Sequence, residues 1–230
     1  MKSKTTCYMC EAAETSREHS LPSCLFPVMK DIGRDLRQNL VTVPSCDDHN
    51  SKKCKDDEFL RALILHVAVQ SSEIAQNQFM GKLLRAAKRK PHTYSNFFTD
   101  EGTLANGSLR ALRIDRGRFD RCIDHLMRAL YFDTYKEKWV LPILVTSPSF
   151  FSNIENDNAV PHQPIHDAVD VTKEFLKHEI IKGQNPEVFK YRVRYDEATR
   201  IYAFAAIFYD FFEVYSLSSP DLTGAVLEAS

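Results

Sequence analysis

The sequence predicts an α+β protein in which a small, metal-stapled N-terminal module leads through a helical segment into a C-terminal α+β domain with an antiparallel β-meander. Three observations carry this. Cys7, Cys10, Cys24, Cys46 and Cys54 crowd one end of the chain, where apolar periodicity is weak. Apolar residues then recur at helical spacing from Asp56 to about Lys90. Beyond Pro186 the chain is dominated by β-branched and aromatic residues. The expected boundaries are 1–58, 59–90 and 91–230.

Composition sets the frame. With 230 residues, 43% hydrophobic and 27% charged, the chain matches ordinary globular proteins. A formal net charge of −1 gives no global field toward nucleic acid, so any such attraction must come from local patches. No apolar run approaches the ~18 residues of a membrane span. The first residues, MKSKTTCYMCEAAE, lack the apolar segment of a signal peptide, so a cytoplasmic, reducing location is expected. There the cysteines read as thiols or metal ligands, not disulfides.

Taking the elements in order, SREHSLPSCLF and QNLVTVPS read as short extended pieces, the first broken by Pro22. Two such strands bury too little surface to fold alone, and a metal supplies what the core lacks. From Asp56, the positions Leu60, Ile64, Ala68, Ala75, Phe79 and Leu83 form a helical stripe widened by Phe59, Leu63 and Val67. A break near Gln70–Ser72 would divide it into two helices, and Pro91 ends it. The stretch 90–108 reads as a connector, with Gly102 and Asn106-Gly107 as turn signals, and LRALRID as a strand. Phe119, Ile123, Leu126, Leu130 and Tyr131 share one helical face. WVLPILVTS is an apolar strand that Pro142 confines to an edge or a bulge. The segment 165–182 is helical in pattern. After it, DEAT is the turn between the first strands of the meander, with Tyr202, Phe204, Phe208, Phe211 and Phe212 read as core. There is no internal repeat.

The chemistry lies in the first fifty-odd residues. Cys7-x-x-Cys10 and Cys46-x-x-His49 form a C-x₂-C…C-x₂-H set. Two-residue gaps let both ligands of a pair reach one tetrahedral ion, and thiolate plus imidazole suits Zn²⁺. The absence of a βαβ pattern disfavours a redox CxxC. Cys122 reads as a buried thiol on a helix, and His66 and His125 as packing or surface histidines.

Between the pairs stands Glu18-His19-x-x-Pro22, followed by Asn39-Leu40 and then Cys46-x-x-His49-Asn50-x-x-Lys53. This order resembles the HNH (ββα-metal) endonucleases over roughly Cys7 to Glu58, about a quarter of the chain. The later helix–strand order resembles regions attached to uncharacterised bacterial HNH proteins. The resemblance implies roles for named residues. His19 matches the general base and Glu18 the acidic ligand of a catalytic Mg²⁺ or Mn²⁺. Asn39 matches the asparagine that braces the loop of the base, and Asn50 the last metal ligand of the motif. Lys53 matches a basic residue that faces phosphate. Cys7, Cys10, Cys46 and His49 match a separate structural zinc site.

These roles have independent physical sense, since imidazole titrates near neutrality and a hard cation takes oxygen ligands. The sequence departs from the family pattern in three places. Asn50 replaces the usual histidine, as in the HNH domain of RNA-guided CRISPR nucleases. His49 stands where a fourth cysteine is common. SCLFP replaces the Gly-Gly that usually follows the Glu-His-x-x-Pro element.

The function expected from the resemblance is metal-dependent hydrolysis of DNA phosphodiesters in defence against foreign DNA. A homodimer or a defence-system protein is the expected associate, and no membrane is involved. Two other readings stand beside it: a non-catalytic zinc module that docks on nucleic acid or protein, and an RNA-directed toxin-like nuclease. In the first of these Asn50 would only cap the coming helix. The basic run Lys82–Lys90, with Arg110, Arg113, Arg116, Arg118 and Arg121, reads as a solvated helix end or as a DNA-tracking surface.

Overall fold

The computed structural model describes residues 5–50, 53–95, 97–103, 110–150 and 163–221, with the side chains of 54, 98–103, 110–113 and 164 outside that description. It is a mixed α+β protein with antiparallel sheets. At the N-terminal end β1 (Ser16–His19) pairs antiparallel with β2 (Thr42–Ser45), matching Ser16 to Ser45 and His19 to Thr42. The chain between them carries a 3₁₀ turn (Ser23–Leu25) and the short helix α1 (Met29–Ile32), closed by Gly33 at φ 75°. A left-handed C-cap of this kind favours glycine because no Cβ is present to clash.

After β2 the chain turns into α2 (Asp47–Asn50) and then α3 (Cys54–Ala68). The stripe read from the sequence is buried here: Phe59, Leu60, Leu63, Ile64 and Ala68 all lie in the core. The break falls where expected. Ser72 caps α4 (Glu73–Gln78) by accepting from the Ala75 N–H, and a π-turn (Phe79–Leu83) joins it to α5 (Leu84–Arg89). The stretch 90–108 holds more order than a connector, because its described residues form α6 (Pro91–Ser95) and β3 (Phe98–Thr103). β3 pairs with β4 (Arg110–Ile114), the strand read as LRALRID. Pro91 thus opens a helix as well as ending one, its fixed φ suiting a first turn. The Asn106-Gly107 turn falls outside the described residues.

The long helix α7 (Arg116–Tyr135) is capped by the Asp115 carboxylate, which accepts from the Arg118 N–H at 2.9 Å. Then come β5 (Leu144–Thr146), α8 (Gln163–Leu176) and the meander β6 (Phe189–Asp196), β7 (Ile201–Phe208) and β8 (Phe212–Ser218). The four strands form one antiparallel sheet in the order β5-β8-β7-β6. β5 is an edge strand, as Pro142 beside it requires. α8 stops short of 182 because the chain bends to make a bridge, Lys182 donating to the Tyr191 carbonyl at 2.8 Å.

Alternation along β7 explains the layers. Tyr202, Phe204 and Phe208 are buried on one face, where the Tyr202 hydroxyl donates to the Met127 carbonyl of α7 at 3.1 Å. Ala203 and Ala205 point the other way, toward α8, whose Lys173 ammonium lies 5.1 Å from the ring centre of Tyr215, the cross-strand partner of Ala205. Small residues on that face let the helix approach closely. Of the aromatic run, Phe211 departs from the sequence reading and is 49% exposed. Tyr209 and Asp210, at φ 51° and 58°, form a left-handed turn that carries Phe211 off the sheet.

One contiguous core joins Leu21, Leu25 and Phe26 of the N-terminal region to Phe59, Phe119 and Phe212. The Tyr209 hydroxyl also donates to the Leu25 carbonyl. Among the described residues no helix is long and apolar enough to cross a membrane.

Candidate metal centre

The Cys7–Cys10 turn hangs on β2. The Cys7 N–H donates to the Ala12 carbonyl and the Tyr8 N–H to the Pro44 carbonyl, both at 2.9 Å. That places the turn over Cys46, the residue following β2, and the N–H groups of His49 and Asn50 both reach back to the Cys46 carbonyl as the helix starts. Four ligand atoms thereby meet, all within 4.8 Å of one another.

The dimensions test which group fits. A tetrahedral ion with Zn–S about 2.3 Å and Zn–N about 2.05 Å has S···S edges near 3.8 Å and S···N edges near 3.6 Å. Cys10 Sγ and Cys46 Sγ are 3.8 Å apart, far beyond a disulfide bond. His49 Nδ1 lies 3.5, 3.6 and 3.2 Å from the sulfurs of Cys7, Cys10 and Cys46. One imidazole nitrogen carries a single proton or a single lone pair, so hydrogen bonding cannot satisfy three sulfurs at once. A central cation can. Burial works against the Cys7 thiolate, but N–H groups at Met9, Cys46 and Cys10 outweigh it and hold the thiol below its ordinary range. Cys7, Cys10, Cys46 and His49 are therefore positioned to hold a metal ion. Cys24 and Cys122 stand apart; burial pushes the Cys122 thiol up to about 12.

The centre is packed into the rest of the fold. Cys7, Tyr8, Val43 and Cys46 form a buried cluster with Ala129 of α7. The Tyr8 hydroxyl, 1% exposed as a residue, lies 3.3 Å from His125 Nδ1, and Lys138 donates to the Cys10 carbonyl at 2.7 Å. His125 is held below its ordinary range by burial and by the Lys53 charge. Between cysteines in the sequence, Tyr8 gave no sign of this link to α7.

The other candidate residues lie beside the centre, on β1 and its neighbours. Strand alternation buries Glu18 and exposes His19 on the opposite face. Glu18 Oε2 accepts from Ser45 Oγ at 3.1 Å, and its Oε1 receives the Lys53 ammonium. Lys53 is 8% exposed and also lies 3.9 Å from Asp57 Oδ1. Asn50 ends α2, so it does not cap α3; Lys53 holds that position. The Asn50 amide donates to Ser16 Oγ at 2.8 Å, on the Glu18 face of β1. Asn39 is exposed at φ 56° in the turn before β2. Thus Glu18 and Lys53 meet, and Asn50 reaches the same face of β1 at Ser16, two residues from Glu18, while His19 stands across the strand.

A carboxylate and an amide oxygen are the right donor types for a hard cation. Their present arrangement does not fit one, because Lys53 and Ser45 occupy both oxygens of Glu18. Lys53, expected to face phosphate, points inward instead. Asp57 and Ser45 were not singled out in the sequence, although the i,i+4 spacing of Lys53 and Asp57 was a usable signal.

The basic residues are partly spent on the fold. Arg118 Nε donates to Asp56 at 2.7 Å, Arg116 Nε to Asp120 at 2.7 Å, and Lys82 pairs with Asp31. A cavity of about 370 Å³ lies between Leu21, Phe26, Leu130 and Phe189 and is not lined by His19 or Glu18.

No protein-family model matches the chain, nor does any curated protein or solved structure. What the fold and site define is a mixed α+β protein with a Cys₃His cluster positioned to hold a metal ion close to its N-terminal end.

Proposed function

We propose that this chain is an HNH-type endonuclease that hydrolyses DNA, with structural Zn²⁺ on Cys7, Cys10, Cys46 and His49. The observation that carries the reading is that the four-ligand centre is followed at once by Asn50 and Lys53, which reach the same face of β1 at Ser16 and Glu18, with the exposed His19 next in the strand. The metal centre fixes the end of β2 to the start of α2, and that turn sets Asn50 against Ser16. In this reading zinc does no chemistry and holds β2, α2 and the Cys7–Cys10 turn in register. His19, open to solvent, takes the proton of the attacking water as its oxygen bonds to phosphorus and the P–O bond to the leaving strand breaks.

A second reading is favoured by a specific contact. Glu18 lies buried between Lys53 and Ser45 with His19 on the other face, as suits a non-catalytic zinc module whose Glu-His pair only shapes a strand. Plasmid nicking with Mg²⁺ or Mn²⁺, by wild type and by His19→Ala, separates the two. The nuclease reading expects cleavage by the wild type and a loss of at least about 100-fold in the variant. Equal cleavage by both, or none by either while zinc stays bound, sinks it. The same comparison on RNA identifies the substrate class.

A further inference from the structure

The cavity of about 370 Å³ holds chemistry that the nuclease reading does not use. Its floor is apolar, made by Leu21, Phe26, Leu130 and Phe189, all of them buried. Phe189 and Tyr191 lie two apart on β6 and so on one face, with ring centres 5.4 Å apart and planes 22° from parallel. Together they make a flat aromatic wall. A pocket of this size, apolar with a few fixed polar groups, is the usual form of a small-molecule site.

The polar groups come from the loop 182–185, which is pinned to β6. Lys182 and Tyr191 exchange backbone hydrogen bonds at 2.8 and 2.9 Å, and the Asn185 carbonyl accepts from the N–H groups of Val188 and Phe189. Gly183, at φ 142°, runs so close to the strand that a Cβ there would stand 2.5 Å from the Phe189 carbonyl oxygen. With its backbone held this way, Asn185 keeps a buried Nδ2 that has no acceptor among the described residues. A buried donor of this kind calls for a partner. Lys182, exposed at the rim, likewise has no carboxylate partner among the described residues. The acid that lines the cavity, Asp133, is already balanced, because its Oδ1 accepts from the Lys136 ammonium at 3.2 Å. What stays unspent is an amide donor and a cation beside an aromatic wall. A carboxylate satisfies both, since its two oxygens accept from several donors and carry the opposite charge.

We propose that this cavity binds a small aromatic monocarboxylate, its ring against Phe189 and Tyr191 and its carboxylate held by the Asn185 amide and the Lys182 ammonium. Aromatic rings pack well against one another, which favours a flat body over an aliphatic chain. The site stands apart from the nuclease reading, since neither His19 nor Glu18 lines it.

The test titrates zinc-loaded full-length chain, labelled with ¹⁵N, with 2-naphthoate and separately with its neutral isostere naphthalene-2-carboxamide. Nuclear magnetic resonance of the wild type is expected to show saturable binding of 2-naphthoate, with the Asn185 side-chain amide among the most shifted signals. The carboxamide is expected to bind about tenfold more weakly, having lost one charge-assisted contact. Asn185→Ala is expected to weaken 2-naphthoate about tenfold, and Lys182→Gln to remove its advantage over the carboxamide. Wild type that shows no saturable binding, or leaves the Asn185 amide unshifted, overturns the site, as does full affinity in Asn185→Ala. Equal affinity of wild type for the two probes overturns the carboxylate. Octanoate carries the same head without a ring and is expected to bind more weakly than 2-naphthoate; binding as tight or tighter overturns the aromatic body.

Discussion

The side-chain amide of Asn50 donates a 2.8 Å hydrogen bond to Ser16 Oγ, while His49, the residue before it, turns its Nδ1 to the sulfur of Cys46 at 3.2 Å. Adjacent positions on a helix point about 100° apart, so one turn of α2 serves the metal centre with one residue and β1 with the next. The two roles are separable. Asn50→Ala is expected to keep full zinc content and to lose about 1 kcal/mol of stability, the net worth of one hydrogen bond. Zinc analysis and urea unfolding of the same sample check both. Loss of zinc in this variant would show that Asn50 supports the ion and not the strand.

Removing an ion ligand acts on a larger scale. Two short strands and their loops have little core of their own, and Cys7, Tyr8, Val43 and Cys46 are packed on α7 around the centre. Cys46→Ser, or treatment with a strong chelator, is expected to destabilise the chain by about 4 kcal/mol, in the range of metal loss. For a chain of this size that corresponds to a fall in Tm of roughly 8–16 °C. One zinc per chain in the native protein, and none after the transition, completes the measurement.

What was legible in the sequence follows from the range of the interactions. The Cys₃His set could be read because ligand spacing is a local constraint, and α3, α7 and the meander because burial imprints a period on neighbouring residues. The pairing of Glu18 with Lys53 spans 35 positions, and nothing local distinguishes a buried lysine from one facing phosphate. Asn39 fitted both a bracing role and a left-handed turn, since asparagine is among the few residues that tolerate positive φ. β3 is hard to read because Phe98–Thr103 lacks apolar alternation and, among the described residues, pairs with β4 alone. Phe211 leaves the core because its exposure is decided by the backbone sign of two preceding residues, which hydrophobicity does not encode.

Arg118 offers a test of whether the basic residues serve the fold or a partner. Its guanidinium donates to Asp56 at 2.7 Å and to the Lys55 carbonyl, and its Cζ lies 4.7 and 5.1 Å from the ring centres of Phe59 and Phe97. Arg118→Lys keeps the charge but loses the planar fork that makes these contacts together. Arg118→Ala is expected to cost about 2–3 kcal/mol, with Arg118→Lys recovering less than half. A lysine variant as stable as wild type would return Arg118 to the set of residues free to follow a phosphate backbone.

The pH dependence of stability should carry the mark of Asp57. Burial pushes its carboxyl up to about 6; the Lys53 ammonium opposes this, and the charges of Glu18 and Asp56 add to it. The folded-state value therefore lies above the unfolded one, so the folded chain binds this proton more tightly. The resulting stabilisation is complete below about pH 4 and is lost as pH rises through 6. With the Asp57 side chain 31% exposed, solvent screening reduces the effect to about 1–2 kcal/mol. Asp57→Asn cannot titrate, so its stability relative to wild type is expected to rise between pH 4 and pH 7 and then level off. Urea unfolding of both proteins across that range measures the difference directly, with groups common to both cancelling. A difference that stays flat would mean that Lys53 holds Asp57 ionised throughout, and that the ammonium is shared between the two carboxylates.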